Sequence, residues 1–160
     1  MIVGADLVLP LHRVNMTKLF HFDSPQEDYR ADACVISCFD ARFDRVVRKF
    51  LRKQSIEFYD QVKIPGSARA LSTSASAAER EIALGMVRTS IRLHRPSRVW
   101  LFAHADCGAY RSSTLEIQMA DLRSAADFMR SSEPSLPVEC FYCNFDGVYS
   151  VAQGAAGGAF

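Results

Sequence analysis

From residue 31 onward the hydrophobic pattern keeps changing period, between the two of a strand and the 3.6 of a helix. That alternation limits the fold more than any other feature of the chain. Ala33-Cys34-Val35-Ile36-Ser37-Cys38 is apolar, β-branched and bounded by polar residues, and reads as a short buried strand. Phe43, Val46, Val47, Phe50 and Leu51 then recur at helical spacing, with Arg45, Arg48, Lys49, Arg52 and Lys53 between them as a solvated face. Gln61 to Ile64 reads as a second strand, stopped by Pro65-Gly66. Ser76-Ala77-Ala78-Glu79 fits a capping box that opens a helix reaching about His94, before Pro96. Its stripe of Ile82, Ala83, Met86, Val87 and Ile91 suits a helix lying on a sheet. Val99 to Ala103 is the clearest buried strand. A helix over 115–131 follows, with Leu115, Met119, Leu122, Ala126 and Met129 on one face. Val138 to Phe145 reads as a last long strand, and Asp146-Gly147 as a hairpin turn into Val148–Val151. Strand–helix–strand alternation with short connections predicts an α/β fold, a mostly parallel sheet with helices on both faces.

At 160 residues the chain suits one domain, able to bury about 70% of the surface its unfolded form exposes. Three segments are expected: an irregular lead over 1–30, a core over 31–151, and a Gly/Ala-rich tail over 152–160. Met16 is a second candidate start. A net charge of +1 leaves no electrostatic footprint for nucleic acid or an anionic membrane. No apolar run approaches the roughly 20 residues that span a bilayer. The five cysteines, an odd number, argue against a secreted disulfide scaffold and for a reducing, cytoplasmic setting. Their thiols are then available as ligands.

In sheets of this kind ligands bind outside the carboxyl ends of the strands, where strand order reverses. Two of those ends carry metal-ligand chemistry. Cys38-Phe39-Asp40-Ala41-Arg42 follows the first strand, and His104-Ala105-Asp106-Cys107-Gly108 follows the third. If the first and third strands are neighbours, as in a sheet ordered 2-1-3-4, Cys38 and His104 emerge side by side. A tight turn or a helix start would bring Cys107 to the same ion. Two thiolates and an imidazole make a three-ligand zinc site with an open fourth position, the arrangement of catalytic zinc. In an extended segment Cys38, Asp40 and Arg42 would share a side. Asp40 would then hydrogen-bond a zinc-held water, with Arg42 fixing the carboxylate. The same Asp could instead swing onto zinc and shut the site.

The motifs Cys-x-Asp-x-Arg at 38–42 and His-x-x-Cys at 104–107 resemble those of the β-class carbonic anhydrases, and the likeness extends over about residues 30–151. It implies one α/β domain with strand order 2-1-3-4 plus a C-terminal hairpin strand. It implies one Zn2+ per chain on Cys38, His104 and Cys107, with Asp40 and Arg42 as a catalytic dyad. The reaction it implies is reversible hydration of carbon dioxide to bicarbonate by zinc-bound hydroxide. It also implies a homodimer or a higher homo-oligomer, with the cleft near the subunit interface. This sequence departs from the family where Ile64-Pro65-Gly66-Ser67-Ala68 replaces the usual Arg-Asn-Ala-Gly wall, and where the helical arm gives way to the irregular lead. A zinc hydrolase of carbon disulfide or carbonyl sulfide, and a non-catalytic zinc protein, therefore stay open as alternatives.

The other candidate groups read as ordinary structure. Cys34, four strand residues before Cys38 and about 13 Å from it, is core. Cys140 and Cys143 fall inside a strand, where positions three apart face opposite sides, and read as buried filler. Asp106 either orients a ligand or caps the turn, and Tyr110 packs. His94 is expected to meet the dipole at its helix C-terminus, and His12 and His21 to be exposed.

Overall fold

The computed structural model describes residues 17–111 and 113–152. Expectations for His12, Met16 and most of the Gly/Ala-rich tail lie outside those residues. Residues 17–30 carry no helix or strand, and His21 is exposed there.

The core contains β1 (Ala33–Ser37), α1 (Ala41–Lys53), β2 (Tyr59–Lys63), α2 (Ala77–His94), β3 (Val99–His104), α3 (Leu115–Ser132), β4 (Val138–Asn144) and β5 (Gly147–Ser150). They build one five-stranded sheet of order β2-β1-β3-β4-β5, parallel except for the β4–β5 hairpin. Strand order reverses between β1 and β3, where Cys34 pairs with Val99 and Ile36 with Leu101.

Side-chain alternation divides the sheet into two buried faces. Ala33, Val35, Trp100, Phe102, Phe141 and Cys143 face α1, meeting Phe43, Val47 and Leu51. Cys34, Ile36, Leu101, Ala103 and Cys140 face α2 and α3, meeting Ala83, Val87, Leu122, Ala126 and Met129. Cys140 and Cys143 thus sit in different cores. The α2 N-terminus carries both arms of the capping box: Glu79 N–H donates to Ser76 Oγ at 3.2 Å, and Ser76 N–H to the Glu79 carboxylate at 2.8 Å. A cap of this kind contributes about 1 kcal/mol.

Several details differ from the sequence reading. The buried face of α2 is Ala83, Leu84, Val87 and Ser90, whereas Ile82 and Met86 are 62% and 45% exposed. The apolar stripe is wider than the strip of sheet the helix covers, so its outer edge borders a small hollow with Ile64, Pro65 and Ala109. Leu115, in the first turn of α3, is exposed. The hairpin turn is Phe145-Asp146, one residue earlier than expected, because Gly147 already pairs with Asn144. His94 does more than end its helix. Its Nδ1 lies 2.8 Å from Asp60 Oδ1 and 3.0 Å from the Tyr29 hydroxyl, and its ring stacks on Tyr29. Two 3₁₀ turns, Ser67–Leu71 and Gly108–Tyr110, lack a periodic signature and were not anticipated.

Candidate metal centre

Cys38 stands one residue beyond β1, and His104 is the last residue of β3. The side-by-side placement of those strands sets the two ligands at one edge of the sheet. Chain reversal supplies the third: Asp106 adopts φ +50°, and Cys107 follows as the cap of the 3₁₀ turn Gly108–Tyr110. The donor atoms of Cys38, His104 and Cys107 all lie within 4.8 Å of one another. In tetrahedral zinc with these ligands the donors stand roughly 3.5–3.8 Å apart, so small side-chain movements close the cluster.

The imidazole is prepared for a metal. His104 Nδ1 lies 2.8 Å from the Ala105 carbonyl oxygen, an acceptor only, which assigns the proton to Nδ1 and leaves a lone pair on Nε2. That Nε2 is buried, has no oxygen or nitrogen partner, and faces the Cys38 sulfur. Phe43 packs on the ring at 4.4 Å between centroids and fixes its plane. Burial opposes a charge on His104, but hydrogen bonding and the charge of Cys38 leave its pKa raised overall.

The two thiols differ. A hydrogen bond from Cys107 lowers the Cys38 pKa against the opposing effect of burial, helped by His104 and the backbone N–H groups of Asp40 and Gly66. Cys107 moves the other way, because it donates to Cys38 and is itself buried. Two soft sulfurs and a buried imidazole nitrogen form a donor set that suits zinc.

Asp40 and Arg42 meet beside this cluster, by a different route from the one expected. Strand alternation ends at Ser37. Asp40 is instead the N-cap of α1, and Arg42 lies in the first helical turn. Arg42 N–H donates to Asp40 Oδ1 at 3.0 Å, and its guanidinium grips the carboxylate through Nη2 at 2.7 Å and Nε at 3.1 Å. Those hydrogen bonds hold the Asp40 pKa down at about 2. Asp106 completes the arrangement: its carboxylate accepts from Arg42 Nη1 at 2.8 Å and its carbonyl from Nη2 at 3.0 Å. Asp106 was expected to orient a ligand or to cap the turn; its side-chain contact is instead with Arg42.

The segment after β2 is a third wall, which sequence reasoning noticed only as a departure. Gly66 adopts φ +73°, and a Cβ there would stand 3.1 Å from Ala109 Cβ. Ser67, buried, donates its hydroxyl to the Ile36 carbonyl at 3.0 Å. The Pro65-Gly66 pair was the available signal for this turn. Nothing in the sequence alone placed its N–H at Cys38.

A family model described as "putative carbonic anhydrase" matches residues 29–153. The chain belongs to this family. Solved structures of carbonic anhydrases share its fold at low identity. The β-carbonic anhydrase isoform I of Trichomonas vaginalis is 12% identical, with a TM-score of 0.59 over 84% of this chain and 90% of that one. The carbonic anhydrase of Streptococcus mutans is 11% identical, with a TM-score of 0.56 over 78% and 84%. One of the two tetrameric β-carbonic anhydrases of Sordaria macrospora is 10% identical, with a TM-score of 0.55 over 80% and 84%. No curated protein matches the chain in sequence. It is a divergent β-carbonic anhydrase-like protein with a candidate Cys–His–Cys metal cluster, and among its described residues no helix is long and apolar enough to cross a membrane.

Proposed function

We propose that this carbonic anhydrase-like chain hydrates carbon dioxide reversibly, holding one zinc ion on Cys38, His104 and Cys107. The observation that carries the reading is the buried Nε2 of His104 converging with two thiols beside an Asp–Arg pair. Zinc, when bound, makes water a nucleophile near neutral pH.

The chain's own residues supply the rest. Asp40 stays ionised at neutral pH and offers carboxylate oxygens as proton acceptors at the edge of the cluster. Arg42 fixes their direction, and Asp106 fixes Arg42. Swinging Asp40 onto the metal would break its side-chain and backbone bonds to Arg42, so the geometry favours the open site over the shut one. Phe39 and Phe145, both largely exposed, give the rim an apolar surface suited to a small uncharged substrate.

Stopped-flow hydration of carbon dioxide at pH 8.5, on protein shown to hold one zinc per chain, tests the proposal. A rate well above buffer is expected. No rate with zinc in place would move the assignment to carbon disulfide, carbonyl sulfide or a non-catalytic metal protein. The reading carries two further expectations: a homo-oligomer, measurable by light scattering, and a reducing cytoplasmic setting that keeps both thiols available.

A further inference from the structure

The β4–β5 hairpin carries at its turn a side chain that turn chemistry does not ask for. Two-residue hairpin turns favour Gly, Asn and Asp. Here the turn is Phe145-Asp146, and neither residue has a positive φ. Its own polar groups fix it: Phe145 N–H donates to Asn144 Oδ1 at 2.9 Å, and the Tyr149 hydroxyl to Asp146 Oδ2 at 2.7 Å. Below the turn Cys143 pairs with Val148, and both pack into the core on the α1 side. None of these bonds uses the phenyl ring of Phe145, which is largely exposed.

The contacts of that ring lie on α1 instead. Its centroid is 5.4 Å from that of Phe43 and 5.9 Å from the Arg42 guanidinium carbon, which itself stands 5.7 Å from the Phe43 centroid. One cation and two rings thus form a nearly equilateral triangle. Arg42 already directs its N–H groups to Asp40 and Asp106. An aromatic ring within about 6 Å adds an attraction that those hydrogen bonds do not supply. Phe43 is held by the core, being 5% exposed. Phe145 belongs to a different element, so its ring is what joins the hairpin to the Arg42–Asp40 pair.

We infer that Phe145 is a positioning residue for that pair: its aromatic face holds the guanidinium at the seam of the two rings and keeps the Arg42–Asp40 contact from opening to water. The effect on turnover rests on the carbon dioxide reading, whereas the effect on Arg42 does not. An apolar rim needs only an apolar side chain at this position; the guanidinium contact needs a ring.

Three variants of the full chain separate those roles. Phe145→Tyr keeps an aromatic face, Phe145→Leu keeps apolar bulk alone, and Phe145→Ala keeps neither. Arg42 Nε–H donates to the Asp40 carboxylate, so its hydrogen exchange, followed by NMR, measures how often the pair opens. Exchange should quicken about two- to fivefold in Phe145→Leu and Phe145→Ala, the range expected of a surface cation–π contact, and stay near the original rate in Phe145→Tyr. In Phe145→Leu the kcat for carbon dioxide should fall by a similar factor with KM unchanged, since the rim stays apolar. Zinc content should be equal in all three, because Phe43 remains stacked on His104. Unchanged Arg42 exchange in Phe145→Leu would overturn the inference, as would exchange in Phe145→Tyr as fast as in Phe145→Leu. Loss of zinc from Phe145→Ala, or an undiminished kcat in Phe145→Leu, would also overturn it. An unmodified chain that holds zinc without turnover would overturn the carbon dioxide reading alone, and the exchange rates would still decide the role of Phe145.

Discussion

Replacing Gly66 with alanine tests the wall of the metal centre through two separable costs. The residue adopts φ +73°, and a Cβ would stand 3.1 Å from Ala109 Cβ and 3.3 Å from Arg69 Cβ. The left-handed conformation costs an L-residue about 1–2 kcal/mol. Overpacking of this modest degree adds about 1 kcal/mol, the low end for small-to-large changes. A total of about 2–3 kcal/mol corresponds to a fall in Tm of roughly 5–10 °C for a chain of this size. Gly85 provides the control. It lies within α2 with nothing inside 4 Å of a built Cβ, so Gly85→Ala should stabilise the chain by about 0.5–1 kcal/mol. Both variants should be melted as metal-free protein, with denaturant midpoints as a second measure. Zinc affinity should fall for Gly66→Ala alone, since its N–H is directed at Cys38. The reasoning fails if Gly66→Ala melts no lower than the unmodified chain, or if the two variants shift in the same direction.

Three other outcomes are expected. Cys38→Ser should lose zinc in metal analysis after dialysis, because a hydroxyl is a poor zinc ligand at neutral pH. Asp40→Asn should retain zinc and lose turnover; full activity in this variant would remove the dyad from the mechanism. The pH dependence follows from the sign of the Asp40 shift, which runs from the ordinary 3.8 down to about 2 in the folded chain. A depressed carboxylate stabilises the fold above its unfolded pKa, and that contribution is lost as pH falls through the folded value. The difference in urea midpoint between the metal-free unmodified chain and metal-free Asp40→Asn should therefore be flat above pH 5 and shrink between about pH 4 and 2; a difference that grew on acidification would contradict the assignment.

The sheet was legible because its strands are short apolar runs whose alternate residues feed two different cores, and because Pro65-Gly66 and Pro96 punctuate them. Bounds of the helices were legible where chemistry marks them, as at Ser76 and Glu79. Which part of an apolar stripe is buried was not, since Ile82 and Met86 are as hydrophobic as Val87 and only the width of the sheet decides between them. In the candidate site, Cys38, His104 and Cys107 could be grouped from strand ends and donor type. Asp40 and Arg42 were expected to share a side through strand alternation, and they pair through a helix cap instead. The Asp106 contact to Arg42 depends on a positive φ at a non-glycine residue, and the Gly66 contact to Cys38 on a loop crossing, neither of which leaves a periodic trace.

The reversal of strand order between β1 and β3 has a kinetic meaning. Cys38 and His104 are separated in sequence by α1, β2 and α2, so their meeting closes a long loop at an entropic cost. A metal ion cannot nucleate such a chain as it does a small zinc finger, whose ligands are close in sequence. It must enter a sheet already assembled, and its release must be possible without dismantling that sheet. Refolding rates of this protein should therefore be indifferent to zinc, and the whole effect of the metal should fall on the rate of unfolding.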